Sequence, residues 1–514
     1  MRLLRVDIDG YKHLRKMSVA FAPPRDSGLL RDAVPIRFLI GLNGSGKSAF
    51  LEGLCLIFSR LAQNESPGFA FRLVYEIQRA GQLYQVDASG GGGKELSIRA
   101  AFGKKEIVVP SFTQDQYLLP DRIFVCASGN NNNFFDIAVR SPRDALHGEL
   151  FDASQLGKSR HAPARRREDA GRVLRALRRL EEDPVCLLID EQASVLALAA
   201  FLSIPEEDDG AADSGTDCRG RILKIPDSRP LPLSFSLTVD MERLRTLQNR
   251  DEADSIFQEL EGCSRRLSSW ITARTPLDDS VGETEADRVM TFLFEGGACP
   301  RIESLTDICH SPVDLLSKLI RARNQGLIRE AHLSFHLEGS EDVLEESALS
   351  EGEYMLLVRL GLLAMGRGRD SQFLYLLDEP DVYLNERWNI DFVSTIHELY
   401  RNKAPRHEIL AATHSSLVLT DACPEQLYCF SAENGTAICR NVQASTFGGS
   451  RNEIMQALFQ TKHSVGSFSF QQIERLLETA ESADELEQQL EDVGSGYLRL
   501  RVLARIERMK EEEG

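Results

Sequence analysis

Residues 41–48 constrain the fold of this 514-residue chain most, because they require a strand before them and a helix after them. Residues 36–40 are mostly apolar and typical of a strand, and residues 49–58 have helical character. The glycines between them can adopt positive φ, which turns successive backbone N–H groups inward as a nest for phosphate. The complete pattern in this context favours a phosphate-binding loop over a chance glycine-rich turn.

Two side chains of this phosphate loop have separate expected roles. Lys47 is expected to neutralise the β- and γ-phosphate oxygens, and the Ser48 hydroxyl is expected to ligate Mg²⁺. The predicted cofactors are therefore ATP and Mg²⁺. The residues expected to surround the nucleotide phosphates are Asn43, Gly44, Ser45, Gly46, Lys47, Ser48 and Ala49.

Two segments compete for the carboxylates that such a site needs. Residues 186–191 and 373–379 are both apolar runs that end in an acidic pair. The first continues directly into an Ala/Leu-rich helical stretch, whereas the second ends a buried strand in a turn. We therefore assign Asp378 to the Mg²⁺ shell and Glu379 to polarising the attacking water. The pair Asp190-Glu191 is interpreted as the polar end of a strand in an inserted region.

A further buried-strand pattern, residues 409–413, is followed by His414. A sensor of the γ-phosphate belongs on the strand next to the one that carries Asp378. We therefore expect His414 to hydrogen-bond the γ-phosphate and the water near Glu379.

The signature pentapeptide, Leu349–Glu353, precedes a helix predicted over residues 353–364. The Ser350 hydroxyl and the Gly352 backbone at this helix start form a compact anion-binding surface. Ser350 and Glu353 also have the spacing of a capping box, which is the structural alternative. The two roles are compatible with one another.

With these segments in this order, the chain resembles ABC-type ATPases of the branch that includes the RecF, SMC and OLD-like proteins. Residues 1–12 add to the resemblance, because they are similar to the first strand of such ATPase heads. The other segments that carry it are 41–48 (Walker A), 349–353 (signature), 373–380 (Walker B) and 413–415 (switch histidine).

The resemblance implies that two heads pack head to tail around shared nucleotides. Ser350, Gly352 and Glu353 of one subunit would then contribute to the site that contains Lys47 of its partner. The glutamine that links nucleotide to the helical arm in such proteins has no clear match here. Gln114, Gln116 and the turn 127–130 are the candidates, and Tyr383 and Asn385 stand where OLD-like proteins carry histidines.

The predicted fold class is α/β. The resemblance implies an ABC-type P-loop head with a mixed central sheet and an antiparallel β subdomain, and strand patterns at 71–86 and 96–109 fit that subdomain. Four regions are expected: 1–139, the first half of the head; 140–340, a mainly α-helical insertion; 341–445, the second half of the head; and 446–514, a helical C-terminal tail that binds a partner.

The net charge of −18 argues against a surface built mainly to bind nucleic acid. One basic cluster could still contact DNA or RNA, because three of its arginines share a helical face. A solvated helix paired with neighbouring glutamates explains the cluster equally well. Its members are Arg165, Arg166, Arg167, Arg172, Arg175 and Arg179.

The composition indicates a cytoplasmic protein with no membrane association. No apolar run reaches the roughly 18 residues that cross a bilayer, and the N-terminus has no signal-peptide pattern. The ten cysteines include no C-x-x-C pair, which favours reduced thiols.

The tail separates the functional alternatives. Residues 415–514 contain no Asp-x-Asp of a TOPRIM nuclease, and residues 241–272 lack the sustained heptads of an SMC arm. The tail, the long insertion and the Ser128-Gly129 turn are similar to the PtuA ATPases of Septu-type anti-phage systems. That resemblance implies control of a separately encoded HNH nuclease. The alternatives are a RecF- or SMC-like DNA clamp in repair and a nucleotide-bound scaffold with very slow turnover.

Overall fold

The predicted strand–loop–helix arrangement around the phosphate loop is present in the computed structural model. A strand spans Ile36–Ile40, and a helix spans Lys47–Ala62. Gly46 adopts φ 108°, and a Cβ built there would lie 2.7 Å from the Ala437 Cβ. Only glycine fits this position without displacing its neighbour.

The structure describes most of the chain and divides it into two compact units, Met1–Phe447 and Gly448–Gly514. The described residues are 1–23, 36–103, 105–109, 118–128, 132–140, 185–204, 218–240, 243–244, 289–295, 305, 309, 311–339, 342–366, 371–400, 407–442, 445–459 and 465–513.

The strands are numbered along the chain. They are β1 Arg2–Asp9, β2 Met17–Ala20, β3 Ile36–Ile40, β4 Ala70–Arg79, β5 Gln82–Gly91, β6 Lys94–Phe102, β7 Lys105–Val108, β8 Arg122–Ala127, β9 Cys186–Ile189, β10 Pro230–Asp240, β11 Val289–Glu295, β12 Ile328–Leu337, β13 Val343–Glu345, β14 Phe373–Asp378, β15 Glu408–Thr413, β16 Leu427–Glu433 and β17 Thr436–Asn441.

The helices are numbered in the same way. They are α1 Lys47–Ala62, α2 Asn132–Phe135, α3 Glu191–Leu202, α4 Cys218–Leu223, α5 Pro312–Asn324, α6 Glu351–Met365, α7 Glu386–Leu399, α8 Arg451–Phe459, α9 Ser467–Thr479, α10 Ala483–Leu490 and α11 Tyr497–Glu513.

A seven-stranded sheet in the order β17-β16-β3-β15-β14-β8-β9 forms the centre of the first unit. From β16 to β9 each strand pairs in parallel with the next, whereas β17 is antiparallel to β16. Every residue of β3, β14 and β15 is buried, as expected for parallel strands covered on both faces. The carboxyl ends of these three strands therefore meet at one edge.

The antiparallel β subdomain has six strands in the order β2-β1-β4-β5-β6-β7. The strand pattern predicted over 71–86 lies in two strands, because the chain turns back between β4 and β5 at Ala80 and Gly81. Both residues adopt positive φ, 49° and 78°, which a two-residue hairpin turn requires. Alanine is a weak turn signal, so the pattern concealed this turn.

The prediction of a mainly helical insertion over 140–340 is wrong for the residues described there, which contain about as much strand as helix. Strand β9 extends the central sheet, and β10, β11 and β12 form a second antiparallel sheet with β13. Prolines such as Pro230 and Pro232 are typical of a joint rather than a strand interior. They are tolerated because the β10–β12 pairing is irregular between Pro232 and Ser234, and the described residues of β11 pair with β10 from Ser234 onward.

The competing acidic pair at 190–191 lies at the end of β9, as predicted. The Asp190 carboxylate caps helix α3 by accepting a hydrogen bond from the Ala193 N–H at 2.9 Å. It also pairs with Arg323 at 2.5 Å. These contacts give Asp190 a structural role.

The second unit contains helices α8 to α11. Six buried side chains form its apolar core: Ala480, Ala483, Leu486, Val502, Ile506 and Met509. None of the helices in the described ranges combines the length and apolar composition that a membrane span requires.

His407 connects the central sheet to helix α6. Its ring stacks on Phe373 with centroids 5.0 Å apart. Its Nδ1 accepts a hydrogen bond from the Phe373 N–H at 3.1 Å, and its Nε2 lies 3.0 Å from the Gly366 carbonyl oxygen. Burial lowers the pKa of His407 to about 4, so this imidazole is neutral in the folded protein near pH 7.

This buried imidazole predicts acid sensitivity. The unfolded chain binds a proton at His407 below pH ~6.5, whereas the folded chain does so only near pH 4, so stability is lost as pH falls between these values. From pH 7 to pH 5 the wild type should lose about 2 kcal/mol more free energy of unfolding than His407→Asn. Urea unfolding at both pH values measures this, and equal losses in the two proteins would contradict it.

Candidate functional site

The ends of β3, β14 and β15 bring three of the predicted segments together. Strand β15 lies between the other two, with Thr413 opposite Ile40 and Ala412 opposite Asp378. The phosphate loop, the acidic pair and His414 therefore follow neighbouring strands at the same sheet edge. This is the adjacency that the sequence order predicted for His414.

Within the phosphate loop, Lys47 is buried and its ammonium lies against backbone carbonyls. Its Nζ donates to the carbonyl oxygen of Gly41 at 2.8 Å and lies 3.4 Å from that of Leu42. Burial lowers the pKa of Lys47, while the carboxylates of Glu379 and Asp378 act in the opposite direction. A phosphate bound here would offer this cation charged acceptors, which form stronger hydrogen bonds than carbonyls do.

Asp378 and Ser48 have the chemistry of a magnesium site. The Ser48 hydroxyl hydrogen-bonds the Asp378 carboxylate. The buried Asp378 Oδ1 has no hydrogen-bond partner in the described part of the chain. Burial raises the pKa of Asp378 to about 6; the Ser48 hydrogen bond lowers it, nearby Glu379 raises it and Lys47 lowers it. A carboxylate and a hydroxyl with a free buried oxygen fit Mg²⁺, which binds few protein oxygens and keeps waters or phosphate as its other ligands.

Glu379 has a backbone conformation that is uncommon for its residue type, with φ 52°. Its N–H donates to the Ala412 carbonyl at 2.8 Å, and its carbonyl accepts from the Ser128 hydroxyl at 2.9 Å. Its Oε1 lies 3.4 Å from His414 Nδ1, and both side chains are partly exposed. Such backbone outliers persist where surrounding contacts hold them, and they cluster at functional sites.

Ser350 caps helix α6 in the predicted capping box. Its hydroxyl accepts from the Glu353 N–H at 3.3 Å and donates to Glu353 Oε2 at 2.8 Å, and the Ser350 N–H also reaches this carboxylate. Glu353 accepts from the Ser228 N–H as well, at 3.1 Å. Its pKa is lowered, because hydrogen bonds from Ser228 and Ser350 outweigh the effect of burial. Ser350 itself is exposed and accessible to a second molecule.

Gly352 has a packing role that the sequence did not indicate. A Cβ at this position would lie 2.4 Å from the Tyr383 carbonyl oxygen and 3.3 Å from the Trp388 ring. The turn that follows Glu379 thus packs directly on the signature pentapeptide.

Two further candidates from the sequence lie within the described residues. Asn385, at a position where OLD-like proteins have histidine, caps α7 by accepting from the Trp388 N–H. Of the candidate residues 127–130, only 127 and 128 lie within the described ranges, and Ser128 lies beside the acidic pair, with its N–H 3.1 Å from the Asp378 carbonyl oxygen. Other candidates lie outside the described residues: Gln114, Gln116, Arg165, Arg166, Arg167, Arg172, Arg175 and Arg179.

Sequence reasoning missed Arg359 and gave no role to Asp381. Arg359 is buried in α6 and donates to Ser128 Oγ and to the Pro380 carbonyl. Asp381 is buried beside the acidic pair, and its Oδ1 has no partner in the ranges the structure covers. An arginine inside the apolar run 355–363 was the available signal for the first.

Two solved structures are similar to this chain over most of its length. One is a SmcHead bound to the C-winged helix domain of ScpA, with 10% identity, a TM-score of 0.34, and coverage of 86% of this chain and 97% of that chain. The other is an SMC head domain from Thermotoga maritima, with 11% identity, a TM-score of 0.33, and coverage of 86% and 100%. No family model and no curated protein matches the sequence. The assignment of the site therefore depends on its own geometry.

The close approach at Gly352 predicts a steric cost. Gly352→Ala should lower the free energy of unfolding by about 1–3 kcal/mol, because its Cβ meets backbone rather than a flexible side chain. Gly68→Ala is the matched control, since no described atom lies within 4 Å of a Cβ there. The thermal unfolding midpoints of both variants are measured against the wild type. Equal midpoints for Gly352→Ala and Gly68→Ala would show that the turn at Tyr383 moves to accommodate the Cβ without a cost in stability.

Proposed function

We propose that this chain is an ABC-type ATPase that binds Mg·ATP and hydrolyses it. One observation carries the proposal: Lys47, Asp378, Glu379 and His414 follow neighbouring buried strands at one sheet edge. Each is of the residue type that phosphoryl transfer needs at its position. Catalysis of this kind is mainly positioning and electrostatic stabilisation, which a rigid parallel sheet provides.

The geometry supports a separate role for each of these residues. Lys47 would turn from the loop carbonyls to the β- and γ-phosphate oxygens, and Ser48 with Asp378 would hold Mg²⁺. Mg²⁺ bound there supplies neutralisation of the phosphate charge. Glu379 would orient and deprotonate the attacking water, and His414, 3.4 Å from Glu379, would hydrogen-bond the same water or the γ-phosphate.

We also propose that two copies assemble head to tail, as the resemblance to ABC-type ATPases implies. Ser350, Gly352 and Glu353 of one copy would complete the nucleotide site of the other. The exposed Ser350 hydroxyl at the N-terminus of α6 supports this, because it could exchange its bond to Glu353 for one to a phosphate. Bound ATP would then stabilise the dimer, and hydrolysis would release it.

Glu379→Gln should retain ATP binding and reduce turnover by about 10²–10⁴, since it removes the general base. The matched control is Glu191→Gln, the equivalent position of the competing acidic pair, which should hydrolyse ATP at the wild-type rate. Phosphate release and nucleotide binding are measured on both. Turnover by Glu379→Gln at the wild-type rate would exclude Glu379 as the base.

Mixing two inactive variants tests the shared site. Lys47→Ala and Ser350→Ala should each impair hydrolysis alone. A dimer that contains one of each has one intact composite site, so random mixing should restore activity up to about a quarter of the wild-type value. If the mixture stays as inactive as its components, Lys47 and Ser350 act within one subunit.

At the cellular level, we propose that the ATPase controls a separately encoded HNH nuclease in bacterial anti-phage defence, in the cytoplasm. The similarity of the tail and insertion to PtuA ATPases motivates this role. The second unit has three large apolar residues left exposed, Phe468, Tyr497 and Leu500, which are available to such a partner.

This partner surface can be tested with charge substitutions. Phe468→Asp with Leu500→Asp should abolish co-purification with an HNH nuclease, where one is encoded beside this gene, and leave ATP turnover intact. Val108→Asp, at an equally exposed apolar residue of β7, is the control. Undiminished co-purification would remove this surface from the proposal, and ATP-dependent duplex binding without any partner would favour a DNA clamp instead.

A further inference from the structure

Arg359 lies in the middle of α6, the helix that begins at the signature pentapeptide. Only 2% of it is exposed, and its neighbours in sequence are apolar. Burial lowers its pKa, yet a guanidinium remains charged in proteins. A buried charge is costly unless polar groups surround it, so its contacts indicate what it is for.

Those contacts converge on the turn that carries Glu379. One amino group of Arg359 donates to the Pro380 carbonyl, and the other donates to Ser128 Oγ at 2.9 Å. The Ser128 hydroxyl in turn donates to the Glu379 carbonyl at 2.9 Å. Arg359 therefore holds two consecutive backbone carbonyls, that of Pro380 directly and that of Glu379 through Ser128.

The same helix contacts this turn a second time, at Gly352. The Tyr383 carbonyl lies so close that a Cβ on Gly352 would be 2.4 Å from it. Gly352 and Arg359 are two helical turns apart and share a face of α6. The turn from Glu379 to Tyr383, in which both end residues have positive φ, is thus held at two points by the signature helix.

The arrangement is not explained by stability alone. The Arg359 Nε has no acceptor within the described ranges, although it is buried. An unsatisfied buried donor costs free energy, and an apolar residue of similar volume would avoid that cost. What the guanidinium supplies, and an apolar residue would not, is a planar fork that binds two oxygen acceptors at once.

We propose that Arg359 is a positioning residue that couples the two nucleotide sites of the dimer, a role that rests on the proposed function above. The N-terminal end of α6 contacts the nucleotide of the partner subunit, while Arg359 sets the backbone at the Glu379 of its own subunit. A shift of α6 when Ser350 and Gly352 engage phosphate therefore changes the conformation of Glu379. Each site then reports its occupancy to the other.

Steady-state kinetics tests this coupling with two mild variants. Arg359→Lys keeps the charge and loses the fork, and Ser128→Ala removes only the bridging hydroxyl. Each should reduce kcat at least about tenfold, change the KM for ATP less than about threefold, and lower the Hill coefficient for ATP toward one. The double variant should be no slower than the slower single variant, because both changes break one connection.

The matched control is Arg219→Lys. Arg219 is 4% exposed and donates to the Ile204 carbonyl at 3.0 Å. The kcat of Arg219→Lys should stay within about twofold of wild type, since it changes an equally buried arginine and leaves the hydrogen bonds of Arg359 and Ser128 in place. Wild-type kcat and Hill coefficient in Arg359→Lys and Ser128→Ala would overturn the proposal, as would losses that multiply in the double variant.

Hydrogen exchange of the nucleotide-free protein supplies a readout that does not depend on hydrolysis. Arg359→Lys and Ser128→Ala should both accelerate backbone exchange in residues 379–383, and Arg219→Lys should not. Unchanged exchange in that turn would show that Arg359 does not hold it. A wild-type protein that neither binds nor hydrolyses ATP would instead refute the proposed function, so the two failures are distinguishable.

Discussion

Parallel pairing of three buried strands is the constraint on which the rest of the structure depends. Strand β15 hydrogen-bonds β3 on one side and β14 on the other, and all three are buried. Because parallel strands end at the same edge, residues far apart in sequence become neighbours there. This pairing is sufficient to bring the phosphate loop, the acidic pair and His414 together.

Helix α6 adds a second level of organisation. Its first turn is stabilised by the Ser350–Glu353 capping box, a local feature, while its middle reaches the acidic pair through Arg359. One helix thus connects the exposed Ser350 at its first turn with the backbone around Glu379. The structural and functional interpretations of the signature pentapeptide are therefore compatible, because the same hydrogen bonds that cap the helix also present Ser350 at the surface.

Predictions from local sequence pattern agreed with the structure where interactions between residues close in sequence determine the conformation. Apolar runs, and residues with special backbone or capping preferences, predicted three of these features. They are the strand and helix around the phosphate loop, the α6 capping box, and the strand that ends at Asp378. Predictions failed where the strands that pair with a segment decide whether that segment forms a strand. The sheet built from β10 to β13 contains prolines that signal a break, and an irregularity in the β10–β12 pairing between Pro232 and Ser234 accommodates them.

The amino-acid sequence by itself determined which residues can bind phosphate, hold Mg²⁺ and activate water, because glycine, lysine and carboxylate chemistry belongs to the residue type. Tertiary structure alone decided what surrounds them. Contacts between segments that are distant in sequence produce three features of the site. They are the positive φ of Glu379, the close packing of the Tyr383 carbonyl on Gly352, and the hydrogen bond from Arg359 to the Pro380 carbonyl. Such contacts depend on how sheet and helix pack, and a one-dimensional pattern does not contain that geometry.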